Sequence, residues 1–422
     1  MSNTINFLKA GHLNLEKRGR AEVRFQYLGI GAILLSLAFL LWLLITILFG
    51  SLGAFKHVEI AVSVNLTSDN IDPNDLQNAS FGSILKSGLR NQFPEVEKRK
   101  EKKELYKLVS PEGSFELKKK VFSNPELLGK ETKIWVSASD EVSLYIRGKI
   151  NAQLPEDQRK LSDKEISWIE SLESKEQIRT KLNWGFFTNG DSREPEIAGI
   201  LAAFVGSALS LSVCFILSFP IGVSAAIFLE QFAPKNRLSD IIEVNINNLA
   251  AVPSIVFGLL GLSIFLGYFD LPRSSPLVGG MVLSLMTLPT IIIASRASLQ
   301  SVPPSIKEAA LALGATPVQA VFHHVFPVAL PGMMTGAIVG MARALGDTAP
   351  LLMIGMVAFI VDVPKSILEP ATALPVQVFL WADSPERAFT EKTSAAIIVL
   401  LLFLIVMNLA AVLIRRKLEQ RF

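Results

Sequence analysis

Two oppositely charged residues, Arg343 and Asp347, stand in an otherwise apolar stretch. They are four positions apart, which on a helix places them on one face, where they could pair. A charge at bilayer depth costs several kcal/mol unless it is paired or faces water, so such residues are candidates for function. Two hypotheses stay open: a structural pair that holds the helix against a neighbour, or residues that line the path of an anion.

The chain has no phosphate-binding loop of the GxxxxGK[ST] type. Its nearest fragment, Leu128-Gly129-Lys130-Glu131, lacks the leading glycine and the final hydroxyl. Any coupled ATP hydrolysis must therefore come from another chain, which would bind the ATP and Mg. We predict no catalytic residue, no metal site and no cofactor here, and the single cysteine, Cys214, excludes an intrachain disulfide.

The segment from Val302 onward reads VPPSIKEAALALGATPVQAVFHHVFPVALPG. Pro304 favours a helix start, and Glu308 lies in the first turn, where the helix dipole favours an acid. Gly314 can end that helix in a left-handed conformation. Pro317 starts a second short helix, which the prolines at 327 and 331 are expected to bound. The pattern predicts two short helices that meet at a glycine.

This spacing resembles the EAA loop of the permease subunits of binding-protein-dependent ABC importers. The matching residues are Glu308, Ala309, Ala310, Gly314 and Pro327. The resemblance implies that the loop docks as a coupling helix into a groove on an ATPase subunit, with Glu308, Ala309 and Gly314 at the contact. One departure is visible: the family usually ends the loop with Ile-x-Leu-Pro, whereas this chain has His324-Val325-Phe326-Pro327.

Residues 197–422 also resemble the phosphate importer permeases of the PstA type. The matching segments are FPIGVSAAIFLEQFAP, VPSIVFGLLGL, ARALGDTAPLL and TALPVQVF. The resemblance implies a second permease similar to PstC, an ATPase dimer similar to PstB and a periplasmic phosphate-binding protein similar to PstS. It also implies a substrate path at Arg343, Asp347 and Thr348. Asp347 replaces the usual Glu, and Ile293 and Arg296 stand where relatives commonly carry an Arg followed three residues later by an acid.

The elements that position these residues follow from hydropathy. Half of the residues are hydrophobic, and a helix that crosses a bilayer needs about 20 apolar residues. Six segments meet or approach that length: 25–50, 197–228, 249–269, 277–294, 333–361 and 395–414. We therefore predict an all-α polytopic membrane protein with six transmembrane helices of the MetI-like importer type, and a small α+β extracytoplasmic domain between helices one and two.

Charge separates that domain from the rest. Residues 51–196, named here the inserted domain, hold 23 of the 41 Lys and Arg residues and 24 of the 38 Asp and Glu residues. We predict strands at 58–66 and 133–144 and a helix at 95–109, with His57 standing alone and no constellation that could do chemistry. Two roles stay open for the domain: a spacer or docking surface for the binding protein, or a sensor.

Orientation follows from the basic residues in short flanks, which favour the cytoplasm. With the N-terminus inside, thirteen lie inside and four outside. We therefore expect a bacterial inner-membrane protein with both termini cytoplasmic and residues 51–196 periplasmic. The predicted layout is a cytoplasmic segment 1–24, a first span 25–50, the inserted domain, a permease core 197–415 with the cytoplasmic loop 302–331, and a tail 416–422.

Three functions remain in competition. The first is ATP-driven import of inorganic phosphate across the inner membrane. The second is the same machine with sulfate or molybdate as cargo, since an arginine could meet any of these oxyanions. The third is a membrane receptor whose inserted domain senses a ligand. The net charge of +3 gives no reason to expect a nucleic-acid partner.

Overall fold

The computed structural model describes residues 2–67 and 76–418, with side chains described for 18–67 and 76–417. The chain forms two compact units that divide after Gly50. The first is one helix, α1 (Ser2–Ser51), which is apolar enough to cross a membrane from Arg18 onward. The first predicted span lies within it.

The inserted domain is built on a three-stranded antiparallel sheet with β1 at its centre. The strands are β1 (Lys56–Asn65), β2 (Glu131–Ser137) and β3 (Ile178–Leu182). Alternate residues of β1 face the core, as a period of two requires: Val58, Ile60, Val62 and Val64 are at most 1% exposed. In the register, Ile60 lies opposite Val136 on one side and Ile178 on the other.

Short helices cover this sheet. They are α2 (Phe81–Gln92), α3 (Arg99–Tyr106), α4 (Gly113–Ser123), α5 (Asp140–Ile146) and α6 (Asp163–Ser174), followed by a single turn, α7 (Gly185–Thr188). Leu89, Leu105, Leu117 and Ile169 from four of them are buried with β1 in one core. The predicted strand at 133–144 is correct only to Ser137. Asp140 and Glu141 instead form the first turn of α5, where acids are favourable.

The remaining helices form the second part of the chain, which the sequence predicts to be the permease core. They are α8 (Leu201–Ile227), α9 (Arg237–Ala250), α10 (Ser254–Gly261), α11 (Pro276–Gln300), α12 (Pro304–Ala312), α13 (Pro317–Ala320), α14 (Phe326–Gly346), α15 (Ala349–Met353), α16 (Leu374–Ala382) and α17 (Phe389–Leu418). Single wide turns extend α8 to Phe232 and α10 to Leu266, and another joins α13 to α14. Among the described residues, five helical segments are long and apolar enough to span a bilayer, and a bent pair would make a sixth.

The third predicted span, 249–269, is broken in the structure. Helices α9 and α10 meet at an angle of 99° across the residues before Ser254. Pro253 explains the break, because a proline disfavours helical backbone at the residue before it and lacks the N–H that would continue the helix. The apolar segment therefore enters the fold as a bent pair.

The fifth predicted span, 333–361, is wrong in its bounds. The helical segment runs from Pro317 to Gly346, and Asp347 is extended, with φ −92° and ψ 112°. Pro350 cannot donate the hydrogen bond that the Gly346 carbonyl would accept in a continuing helix, which accounts for the end. Pro327 and Pro331 do not bound the second short helix, because the wide turn Val321–Val325 lets the chain continue into α14.

Candidate coupling loop and substrate path

The loop between α11 and α14 has most of the local chemistry expected from its sequence, but Glu308 lies beyond the first turn of α12, so the prediction that places it there is wrong. Pro304 occupies the first turn of α12, and Gly314, just beyond its end, has φ +87°. The Thr316 hydroxyl accepts a hydrogen bond from the Gln319 backbone, while the Gln319 side chain accepts one from the Thr316 backbone. This reciprocal capping box fixes where α13 begins.

The predicted coupling residues divide between surface and interior. Glu308, Ala309 and Gly314 are exposed, Ala310 is buried, and Pro327 is half-buried inside the continuous helix. Ala310 therefore holds α12 against the core, and the residues around it face outward. Gly314 is required by its backbone conformation. A side chain at this position would contact nothing, but a residue other than glycine would be strained at the positive φ.

Large apolar side chains are exposed on the same loop. Leu313 is 90% exposed, Val318 54% and Phe322 49%. Surface leucines occur singly in most proteins, but three large apolar side chains between the end of α12 and the wide turn before α14 indicate an interaction surface. These three residues are named the apolar face of the loop.

The departure from the family pattern at the end of the loop lies in the wide turn Val321–Val325. His324 is exposed there, whereas Val325 is 3% exposed and Phe326 packs against the cluster that contains Val321 and Met333. Apolar packing is thus kept at Phe326, and the substituted histidine points away from the core.

Arg343 and Asp347 do not form the pair that their spacing allowed. The helix ends between them at Gly346, and no ion pair joins Arg343 to any residue that the structure describes. The Arg343 side chain is exposed, while Asp347 is half-buried and accepts a hydrogen bond from the Ser254 hydroxyl at 3.0 Å. Thr348, also half-buried, precedes α15. An exposed arginine near the end of a membrane helix needs water, an anion or another chain beside it.

Arg296, one of the positions that departs from the family pattern, is neutralised within the chain. Its guanidinium lies 3.3 Å from Glu230 Oε2 and 3.0 Å from Glu243 Oε2. The residue therefore braces α11 against α9 and the end of α8. Ile293, on the same helix, is 39% exposed.

The inserted domain is joined to the core through a buried polar junction. Arg147 pairs with Glu391 at the start of α17, and their side chains are only 11% and 10% exposed. Lys392 Nζ donates to the Ala198 carbonyl at 2.6 Å, and the Trp381 indole donates to Asp191 at 2.9 Å. These contacts involve positions far apart in sequence, and no sequence motif predicted them.

Burial shifts the carboxyl groups of this junction toward their neutral forms. It raises the pKa of Glu196 to about 7 and also raises the pKa of Asp191. It raises the pKa of Asp140 to about 8, with the neighbouring Glu141 acting in the same direction. Such shifts arise because a charged carboxylate loses its hydration on burial.

His57, expected to stand alone, has partners. Its Nε2 lies 3.0 Å from the Ser137 hydroxyl, which donates to Glu116. Burial lowers the pKa of His57. Because Ser137 is fully buried and its hydroxyl donates to the carboxylate, it is not placed to attack a substrate.

Sequence reasoning also missed a carboxylate cluster formed by Asp140, Glu141 and Glu386. One ligand atom from each lies within 4.8 Å of the others. The first two are adjacent, but Glu386 comes from the loop before α17. Only the fold brings it to them.

Comparison with known proteins finds two matching families, one for each part of the chain. Residues 218–422 match the family described as binding-protein-dependent transport system inner membrane component, and residues 12–156 match a domain of unknown function (DUF3333). The chain therefore carries an additional N-terminal domain beside a permease module.

Curated relatives agree with the C-terminal match. The phosphate transport system permease protein PstA 1 of Mycobacterium tuberculosis is 28% identical over 55% of this chain and 75% of its own length. The probable ABC transporter permease protein YqgI of Bacillus subtilis is 29% identical over 55% of this chain and 83% of its own length. PstA of Haemophilus influenzae is 28% identical over 54% of this chain and 79% of its own length. Residues 218–422, just under half of the chain, therefore match the family of binding-protein-dependent transport system inner membrane components, and the curated relatives are permease proteins.

Proposed function

We propose that this chain is a permease subunit of an ATP-driven importer that moves inorganic phosphate across the bacterial inner membrane. The observation that carries the proposal is Arg343, an exposed cation near the end of a membrane helix with no ion-pair partner among the described residues. The relatives named for phosphate transport support that cargo. Arg343 would meet the anion transiently, with Asp347 and Thr348 at the same helix break.

The coupling step is assigned to the loop between α11 and α14. Glu308, Ala309, Ala310, Gly314 and Pro327 form its framework, and the apolar face supplies the contact area. Leu313 and Phe322 would enter the groove of an ATPase similar to PstB, which binds the ATP and Mg. Burying such side chains provides about 25 cal/mol per Å² of apolar surface.

The complete machine would contain several further chains. A permease similar to PstC would complete the pathway, and a soluble phosphate-binding protein similar to PstS would dock outside. In this arrangement both termini are cytoplasmic and the inserted domain, residues 51–196, is periplasmic. The excess of basic residues in the short inner flanks supports that orientation.

The test is phosphate uptake by cells that carry Arg343→Ala, with assembly verified by co-purification of the ATPase. We expect uptake to fall at least tenfold. Arg343→Lys keeps the charge but not the planar guanidinium group, so its uptake should lie between those of wild type and Arg343→Ala. Arg237→Ala removes another exposed arginine, at the start of α9, and should leave uptake unchanged. An assembled Arg343→Ala complex with wild-type uptake would exclude the proposed role.

A further inference from the structure

Three carboxylates from two parts of the fold meet beside a large cleft. Asp140 and Glu141 belong to the first turn of α5 in the inserted domain, and Glu386 lies in the loop before α17. Their ligand atoms lie within 4.8 Å of one another. All three side chains line a cavity of about 960 Å³.

Local structure explains only part of this arrangement. Acidic residues in a first helical turn are favourable, which accounts for Asp140 and Glu141. It does not account for Glu386, which the fold brings to the same point at an electrostatic cost. Like charges this close repel one another, which favours a shared proton or a cation between them.

One lysine partly meets that need. Lys160 Nζ lies 3.5 Å from Glu141 Oε1 and 3.4 Å from Glu386 Oε2. Its side chain is 44% exposed, so it can turn away into solvent. Lys160 thus pairs with two of the three carboxyl groups, and the ion pairs and hydrogen bonds described for its ammonium group do not include Asp140.

A second observation points to a missing ligand. Asp140 is only 9% exposed, and within the described ranges its buried Oδ2 has no hydrogen-bond partner. The neighbouring Ser139 is 6% exposed, lines the same cavity, and its hydroxyl is also without a partner in the described part of the chain. Leaving a buried polar atom unsatisfied costs about 1–3 kcal/mol, more for a charged group.

We propose that Asp140, Glu141 and Glu386 bind a divalent cation of the calcium type. Oxygen ligands alone, both carboxylate and hydroxyl, suit a hard cation, and the cleft leaves room for the waters that complete six to eight ligands. Mg²⁺ demands stricter octahedral geometry and fits this irregular set less well. Bound Ca²⁺ replaces Lys160 and links the inserted domain to the loop before α17.

The test is calorimetric titration of the purified full chain in detergent with CaCl₂. Wild type should bind Ca²⁺ saturably and more tightly than Mg²⁺. Glu386→Gln, at a partly exposed position that should not disturb folding, should weaken binding roughly tenfold or more, because ligand charge sets affinity. Asp140→Asn should do the same, and Glu126→Gln, at an exposed position elsewhere in the domain, should not.

Lys160→Met separates the cation site from a purely structural salt bridge. If Lys160 competes with Ca²⁺, removing its charge should tighten Ca²⁺ binding several-fold. If Lys160 is itself the counterion of the cluster, Lys160→Met should bind Ca²⁺ no more tightly than wild type. Absence of saturable Ca²⁺ binding by wild type, binding unchanged in Glu386→Gln, or no tightening in Lys160→Met would each overturn the proposal.

Discussion

The Ser254 hydroxyl donates a hydrogen bond to Asp347 Oδ1 at 3.0 Å, joining the start of α10 to the point where α14 ends. Both residues lie at helix breaks that a proline explains, Pro253 in one case and Pro350 in the other. The proposed substrate path is therefore built around interrupted helices, where polar backbone and side-chain groups are free to contact an anion.

Ser254→Ala tests that link. The variant leaves a half-buried carboxylate oxygen without its donor, so we expect a loss of about 1–3 kcal/mol in stability and reduced phosphate uptake. Thermal unfolding in detergent and cellular uptake measure the two effects. Ser212→Ala is the matched control, since that hydroxyl is exposed and bonds only to its own helix at Ala208. Equal behaviour of the two variants would show that the Ser254 contact has no importance.

Gly314→Ala tests the geometry of the coupling loop. At φ +87° an alanine is strained by roughly 1–2 kcal/mol, although its side chain would meet nothing. We expect weaker retention of the ATPase in co-purification and slower ATP hydrolysis by the complex. Gly31→Ala, which also meets nothing but lies in the helix α1, should leave both unchanged. Full retention in Gly314→Ala would contradict the proposed role of this turn.

Arg147→Ala tests the junction between the inserted domain and the core. Removing one partner of a buried pair strands the other charge, and the expected loss is about 3–5 kcal/mol in unfolding free energy. Lys98→Ala breaks a pair whose lysine is 82% exposed and should cost less than about 1 kcal/mol. The double variant Arg147→Met with Glu391→Gln should recover much of the loss. A small effect of Arg147→Ala would mean that the junction is open to water.

The pH dependence of stability should reveal Glu196. Its pKa of about 7 in the folded chain exceeds the ordinary 4.5, so between these values the unfolded chain ionises it while the folded chain keeps it neutral. Its contribution to stability is therefore full below pH 4.5 and lost as the pH rises to 7, by at most about 3 kcal/mol. Unfolding at pH 5 and pH 8 should show a smaller difference for Glu196→Gln than for wild type. An identical difference in both would refute the assignment.

Local chemistry made much of the fold predictable. Pro304 and Gly314 specify the start and end of α12 within a few residues, and Thr316 with Pro317 specifies the start of α13. Hydropathy likewise located the helices around 201–227, 276–300 and 389–417. These features depend on neighbours in sequence, so composition and spacing were sufficient.

The remaining features depend on contacts between distant positions. The break after Gly346 separated Arg343 from Asp347, a pair that helical spacing alone had suggested. The ion pair of Arg147 with Glu391 and the approach of Glu386 to Asp140 join residues that no sequence period relates. Such contacts arise only once the inserted domain packs on the core.

The most direct test of the central claim is ATP-driven uptake of radiolabelled phosphate into vesicles containing this chain with its partner permease, ATPase and binding protein. We predict uptake that requires ATP and is reduced by unlabelled phosphate but not by equal concentrations of sulfate or molybdate. No ATP-dependent uptake, or stronger competition by sulfate or molybdate than by phosphate, would contradict the assignment.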